Sequence, residues 1–225
     1  MSSTDSSDWW KGEANWATPA GSALRQFVAS LPTERRWRVT LYGSAPLQLT
    51  LDPFWLSADV DLFADDDEDL NPWVARAGLA KAAGRFYLEP GFRLSFRCAP
   101  GWTSRAKTVT LGHAEITLPH PLDILIGKLD RLDEKDLAAF RRVIELTGHP
   151  TAEEFKHELQ NAVDLFRPSF DDESPNRYPD NTRRLWREVF GGAIDLHAEI
   201  IAPALARRRA GYGEPPPDYK RVLGE

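Results

Sequence analysis

The stretch that decides the fold is RVTLYGSAPLQLTLDPFWLSADVDLF, residues 38–63. Val39 and Leu41 belong to an apolar run typical of a short buried strand, and Gly43 and Ser44 then supply the small residues that a tight strand-to-helix turn requires. Glycine lets a backbone approach a ligand closely, while a serine hydroxyl and the amides of a helix start can bond phosphate oxygens. The stretch therefore predicts a phosphate-binding turn at Gly43 and Ser44.

The end of the same stretch, residues 57–63, alternates polar and apolar side chains as a strand does. Asp59 and Asp61 then point to one face of the strand, while Val60 and Leu62 enter the core. Two acids held this close repel each other unless a cation neutralises them, and Mg²⁺ typically takes one or two carboxylates together with substrate phosphates. We therefore predict that Asp59 and Asp61 bind Mg²⁺ or Mn²⁺.

Other interpretations of the Asp-x-Asp sequence stay open on these residues alone. The pair also fits a solvated sheet edge, a calcium site or the metal motif of a glycosyltransferase. For a glycosyltransferase, the chain of 225 residues lacks the length that we expect of a nucleotide-sugar domain. The order of the surrounding elements therefore has to distinguish these possibilities.

That order, a strand, a Gly-Ser turn, a short helix and an Asp-x-Asp strand, resembles the nucleotidyltransferase fold of the DNA polymerase beta superfamily. The spacing of 16 positions from Gly43 to Asp59 is similar to that of the AbiEii-like branch of minimal nucleotidyltransferases. That branch also carries a lysine early in a later helix, which Lys128 matches, and a basic-Asp pair beyond it, which residues 135 and 136 match. The resemblance covers residues 35–147.

The resemblance implies an enzyme that transfers a nucleotide from a nucleoside triphosphate to an RNA or protein acceptor. It implies Mg²⁺ or Mn²⁺ on Asp59 and Asp61, with the β- and γ-phosphates on the Gly-Ser turn. Lys128 would offset charge as the acceptor attacks the α-phosphorus. The same resemblance implies a toxin of a toxin-antitoxin system with a cognate partner protein.

One departure from the family concerns a third acid, which nucleotidyltransferases often carry on a central strand. The matching segment, residues 93–96, contains no Asp or Glu. Two interpretations follow: Asp136 supplies the remaining acid or base, or the protein is a catalytically degenerate binding module. Glu115 is an alternative acid, but we expect it to face solvent on an outer strand. Lys128 lies among apolar residues, where a lysine either extends to solvent or, beside a phosphate site, acts as a point charge.

The element pattern predicts an α/β (α+β) fold, with a mixed sheet flanked by helices and a helical C-terminal extension. Expected strands are those named above, a pair at 85–88 and 92–97, and a pair at 109–111 and 116–118. Helices are expected over 22–31 and 70–84, and another begins at 151. A helical pattern also runs from 121 to 147, and residues 133–136 either interrupt it or form part of it. The last helical pattern covers 181–209, with breaks near 191–192 and Pro203. Prolines predict a loop over 167–180.

Composition limits the cellular setting and the domain organisation. The hydrophobic content of 42% supports a real core, and the net charge of −6 argues against a broad nucleic-acid surface. One cysteine, a polar start and no apolar run of membrane length predict a cytoplasmic protein with no membrane association. We expect a loose segment over 1–20, whose tryptophans need a partner, a core over 21–148, and a helical region over 149–225 with a Pro-rich tail.

Overall fold

The computed structural model describes residues 9–55, 57–82, 85–168 and 175–212. Its centre is a five-stranded mixed sheet with the order β3-β2-β1-β5-β4. The strands are β1 (Trp37–Tyr42), β2 (Asp59–Ala64), β3 (Tyr87–Pro90), β4 (Lys107–Leu111) and β5 (Ala114–Leu118). β1 runs antiparallel to β2 and parallel to β5, β3 runs parallel to β2, and β4 runs antiparallel to β5.

Helices cover the sheet, which confirms the expected α/β class. They are α1 (Pro19–Ser30), α2 (Ala45–Thr50), α3 (Asn71–Arg76), α4 (Pro121–Lys128), α5 (Glu134–Thr147), α6 (Ala152–Asn161), α7 (Tyr178–Leu185) and α8 (Ala202–Tyr212). Among the described residues, no helix combines the length and the apolar character needed to cross a membrane.

The alternation along β2 divides the interior into two cores. Val60 and Leu62 face a core that also contains residues of α1 and α3, whereas Phe63 faces a second core with residues of α4 to α7. Asp61 lies between Val60 and Leu62 in sequence and so shares the second face with Phe63. The sheet therefore presents the aspartates of β2 toward the helices that follow β5.

Local sequence signals explain several helix boundaries. The Thr18 side chain accepts a hydrogen bond from the Gly21 amide at 3.0 Å, which opens α1 over the predicted region. Asp133 caps α5 through a reciprocal capping box with Asp136, so residues 133–136 interrupt the helical run instead of decorating it. Thr151 opens α6 in the same way, as its sequence predicts.

Two expectations between β2 and β4 are wrong. The helix predicted over 70–84 ends at Arg76, because Gly78 adopts a left-handed φ of +69° that terminates it; residues 83–84 lie outside the described part. The strand predicted over 92–97 does not form, and Arg93–Ser95 is a short 3-10 turn instead. Its Phe92 and Leu94 side chains are exposed, so their alternation reflects no sheet pairing.

The C-terminal third follows its sequence with two differences. Pro179 lies in the first turn of α7, where a missing N–H breaks no helical bond, so the predicted loop ends earlier than residue 180. The break predicted near Gly191 is present, but Pro203 lies inside α8, directly after a π-helical turn at His197–Ile201. Residues 169–174 of the loop and 213–225 of the Pro-rich tail lie outside the described residues.

The start of the described chain packs on the body of the protein. Trp10 is only 4% exposed and belongs to the α1 core, and Trp9 stacks on His149 with ring centroids 5.4 Å apart. The segment that we expected to be loose thus packs through its tryptophans, which find the partner that their apolar surface requires, while Lys11, Glu13, Asn15 and Ala17 stay exposed.

Candidate cation and phosphate cleft

Three carboxylates converge on the β2–β3 side of the sheet. Asp59 and Asp61 lie on β2 as predicted, and Glu89 lies on β3 directly opposite Asp61 in the parallel register. One oxygen of each residue lies within 4.8 Å of an oxygen of both others, so the three could hold a metal ion. We call Asp59, Asp61 and Glu89 the acidic trio.

Crowding of these acids alters the proton affinity of the central one. Burial, together with the charges of Asp59 and Glu89, raises the pKa of Asp61 to about 7, although Lys128 and Arg131 act in the opposite direction. An acid that holds its proton near neutral pH is one whose negative charge lacks compensation. A bound cation would therefore reduce the repulsion among the three acids of the trio.

Neighbouring hydroxyl groups fix the outermost acid. Tyr87 Oη donates to Asp59 Oδ2 at 3.1 Å, from the β3 residue directly opposite Asp59. Ser57 Oγ donates to the backbone carbonyl of Asp59 at 2.8 Å and lies 3.5 Å from Asp59 Oδ1. Residues on both sides of Asp59 thus orient its carboxylate.

The Gly-Ser turn, Gly43 and Ser44, joins β1 to α2 beside the acidic trio. Gly43 has a left-handed φ of +65°, and a Cβ at this position would overlap Asp61 Oδ2. Both the conformation and the lack of space therefore require glycine. Ser44 lies directly before the first residue of α2 and makes no side-chain cap, so its hydroxyl is directed elsewhere.

Lys128, at the end of α4, connects this turn to α5. Its Nζ donates to Ser44 Oγ and to Asp136 Oδ1, both at 2.9 Å, and its side chain is 9% exposed. It does not extend to bulk solvent, which was one of the two possibilities left open by the sequence. Lys128 instead lines the same cleft as the Gly-Ser turn.

Asp136 lies behind Lys128 and is fully buried. It accepts hydrogen bonds from Lys128 and Arg131 and from the backbone N of Asp133. Burial acts to raise its pKa, but the charge and hydrogen bonds of Lys128 and Arg131 outweigh burial and lower the pKa below its usual value. Asp136 is not among the acids that converge, so the structure gives it an anchoring position.

These groups line one cleft of about 680 Å³. Its lining residues are Gly43, Ser44, Ser57, Ala58, Asp59, Asp61, Glu89, Lys128, Arg131 and Lys135. The sheet contributes the negative wall, and α4, α5 and their connection contribute the positive one. Arg131 and Lys135, with side chains 59% and 71% exposed, lie on the solvent side of that positive wall.

The structure brings together Gly43, Ser44, Asp59, Asp61 and Lys128, five of the six site residues predicted from sequence. Asp136 reaches this group only through Lys128, and Glu115 lies on β5 paired with Arg36 at 3.4 Å. The acid that the sequence analysis missed is Glu89, which lies between the strands expected over 85–88 and 92–97. The apolar Leu88 between Tyr87 and Glu89 was the available signal, because alternation places both polar residues on one face.

The chemistry of the acidic trio fits a hard divalent cation, since all three groups offer carboxylate oxygens. Comparison of the chain with protein-family models, with curated proteins and with solved structures finds no match. The fold and the site therefore define an α/β protein with an acidic trio, a glycine-serine turn and a buried lysine around one cleft.

Proposed function

We propose that this protein is a metal-dependent nucleotidyltransferase, which transfers a nucleotide from a nucleoside triphosphate to an RNA or protein acceptor. One observation carries the proposal: the acidic trio, the Gly-Ser turn and Lys128 share a single cleft. A trio of acids alone fits many cation sites. Its combination with donors suited to phosphate oxygens supports a substrate that brings both phosphates and a cation.

The acidic trio would hold Mg²⁺ or Mn²⁺. A divalent cation there would offset the negative charge of the triphosphate and of the transition state. The trio's own contribution is to keep three oxygen ligands in place, with Asp59 oriented by Tyr87. Asp61, held between the other two acids, must lose its proton before it can bind a cation.

The opposite wall binds the phosphates. A lysine ammonium has three donors, and Ser44 and Asp136 accept two of those of Lys128. The third can donate to a phosphate oxygen, in a position that Asp136 keeps fixed. Gly43, whose missing Cβ makes room for Asp61 Oδ2, brings the Gly-Ser turn close to the acidic trio, and Arg131 and Lys135 add positive charge at the outer side of the same wall.

In the reaction, an acceptor hydroxyl oxygen attacks the α-phosphorus and forms a new bond to it. The bridging P–O bond to the β-phosphate breaks, and pyrophosphate leaves along the positive wall. The proton of the hydroxyl passes to a carboxylate of the cleft. Lys128 and the Gly-Ser turn act on charge that increases on the leaving group, which is where fixed donors contribute most to rate.

Labelled triphosphates test this proposal. With Mg²⁺ and a pool of cellular RNA and proteins, we expect label from the α-phosphate, and none from the γ-phosphate, to become attached to an acceptor. Asp59→Asn combined with Asp61→Asn should abolish labelling, whereas Glu115→Gln, an acid on the same sheet but outside the cleft, should retain it.

Transfer of the γ-label would show that the reaction is phosphoryl transfer and not nucleotidyl transfer. Equal labelling by the double variant would refute the catalytic assignment of Asp59 and Asp61. Triphosphate binding without any labelling would favour the degenerate binding module. That alternative was considered because residues 93–96 contain no acid. Glu89 supplies a third acid from β3, so the alternative no longer has this support.

A further inference from the structure

A segment near the N terminus, residues 9–16, bonds to the last residues of α2. We call it the strap. Trp10 Nε1 donates to Thr50 Oγ1 at 3.0 Å, and the backbone N of Asn15 donates to Leu49 O at 2.7 Å. Because Trp10 is buried, the strap is packed into the core as well as bonded to the helix.

The contacts continue along α2 toward the cleft. Thr50 Oγ1 donates to Pro46 O at 2.7 Å, which links the end of the helix to its first turn. Gln48 Oε1 accepts a hydrogen bond from the backbone N of Ala20 at 2.9 Å, from the helix that follows the strap. The strap and the start of α1 thus hold the second half of α2, and the bond from Thr50 to Pro46 connects that half to the first turn.

α2 depends on such contacts because it has only six residues and no side-chain cap. Helices this short are not stable alone, so tertiary contacts must set the position of α2. Its two faces are buried in different cores, with Leu47 in one and Leu49 in the other. At its start, Ser44 receives the hydrogen bond from Lys128. One small helix therefore connects the strap to the phosphate side of the cleft.

We propose that the docked strap positions the Gly-Ser turn through α2, so that the affinity of the cleft for a triphosphate depends on strap docking. The proposal rests on the proposed function for the identity of the ligand. Coupling between two binding events is reciprocal. A bound triphosphate must therefore stabilise the docked strap by the same factor, and a partner that captures residues 9–16 must weaken triphosphate binding.

Trp10→Phe and Thr50→Val test the connection, because each removes the hydrogen bond between strap and helix and leaves an apolar side chain in its place. Thr50→Val also removes the bond to Pro46 O inside α2. Trp37→Phe is the matched control: this tryptophan lies in the same core, and its Nε1 donates to Pro32 O at 2.9 Å. We expect the first two variants to weaken calorimetric binding of ATP with Mg²⁺ about three- to tenfold, the scale of one net hydrogen bond. The double variant should bind ATP no more weakly than Thr50→Val alone, and the control should bind like wild type.

Two further measurements separate positioning from general loss of structure. Mn²⁺ affinity without nucleotide should be unchanged in Trp10→Phe, since the described residues of the strap show no hydrogen bond to a member of the acidic trio. Hydrogen exchange of the α2 amides should accelerate in Trp10→Phe and not in Trp37→Phe, and ATP should slow exchange of the Asn15 amide in wild type.

Equal ATP affinity of wild type and Trp10→Phe would overturn the inference, as would additive losses in the double variant. A wild type that binds no ATP in the presence of Mg²⁺ would instead overturn the proposed function. That result would also refute the coupling between strap docking and triphosphate binding. Hydrogen exchange of the α2 amides would then be the measurement that decides whether the strap holds the Gly-Ser turn.

Discussion

Glu89 lies directly opposite Asp61 on the neighbouring parallel strand, and this pairing completes the acidic trio. Side chains at paired positions of adjacent strands point to the same face, so the register of β2 and β3 decides whether three acids meet. A shift of β3 by one residue would bring Leu88 or Pro90 opposite Asp61 instead.

The pKa of Asp61 makes the stability of the cation-free protein depend on pH. Burial and the neighbouring acids raise the folded-state pKa to about 7 from its ordinary value of 3.8, so between these values the folded state binds a proton that the unfolded chain has lost. The stabilisation is complete below about pH 4 and is lost as the pH rises through about 7. We expect Asp61→Asn to stabilise the protein by about 1 to 2 kcal/mol at pH 8 and by little at pH 4, in urea unfolding with a chelator.

The same titration governs cation binding. Mn²⁺ affinity of the wild type should rise with pH and level off above about pH 7, because Asp61 must be deprotonated to act as a ligand. A stability difference between wild type and Asp61→Asn that does not change between pH 4 and pH 8 would contradict the crowding of the acidic trio.

Gly43→Ala should be more harmful than an equivalent change at another left-handed glycine. Gly148, which ends α5 with a φ of +74°, has open space where a Cβ would lie, whereas a Cβ on Gly43 would overlap Asp61 Oδ2. Gly148→Ala should cost about 1 to 2 kcal/mol from the left-handed backbone alone. Gly43→Ala should cost about 1 to 3 kcal/mol more from overlap, and it should also weaken Mn²⁺ binding. Equal losses of stability, with Mn²⁺ binding unchanged in both, would show that Gly43 does not approach the acidic trio.

Lys128→Ala should weaken triphosphate binding by about 1 to 3 kcal/mol, the scale of a charge-assisted hydrogen bond lost from a mostly buried site. Lys135→Ala, which removes an exposed charge from the same wall, should cost less than about 1 kcal/mol. Asp136→Asn should weaken binding too, because it releases Lys128, whereas its sequence position suggested a role in transfer alone. Calorimetry with ATP and Mg²⁺ measures the affinity of all three variants. A larger loss of affinity in Lys135→Ala than in Lys128→Ala would contradict the proposed roles.

A buried ionic cluster anchors the helix that carries Lys128. Arg105 is hydrogen-bonded to Asp123 of α4 at 2.6 Å and lies 3.2 Å from Glu158 of α6, with both acids almost fully buried. Arg105→Met would leave two buried acids without their cation and should cost about 3 to 5 kcal/mol at pH 7.

Lowering the pH should reduce the loss of stability in Arg105→Met. Burial raises the pKa of Asp123 to about 6 even though Arg105 opposes the shift, so Asp123 in the variant will be protonated as the pH falls below neutral. Arg105→Met with Asp123→Asn should recover part of the stability at pH 7. Urea unfolding at pH 7 and pH 5 checks both statements, and a loss of the same size at both values would refute them.

The sequence predicted the parts of the site that depend on neighbours along the chain. A Gly-Ser break after an apolar run and an Asp-x-Asp alternation are local patterns, and they correctly placed Gly43 directly after β1 and Asp61 on the neighbouring strand. The parallel pairing of β2 with β3 is not local, because it depends on how the intervening chain returns to the sheet edge. Glu89 next to Pro90 and Gly91 has the composition of a turn, and only the register shows that it belongs to the site.

The same limit explains the strand wrongly predicted over residues 92–97. Alternation of Phe92, Leu94 and Phe96 suggests a buried face, but only Phe96 is buried. A pattern of apolar residues predicts a strand only where the segment pairs with a neighbouring strand, and Arg93–Ser95 forms a 3-10 turn instead. Asp136 was misplaced for a related reason: spacing put it near Lys128, but burial behind that lysine is a property of packing.

Electron paramagnetic resonance of Mn²⁺ tests most directly whether Glu89 completes a cation site with Asp59 and Asp61. Titration of Mn²⁺ into the wild type and into single variants gives an affinity for each. We expect Asp59→Asn, Asp61→Asn and Glu89→Gln each to weaken binding by at least about tenfold, and Glu115→Gln to bind as wild type does. Wild-type affinity in Glu89→Gln, or the same loss in Glu115→Gln, would contradict the account.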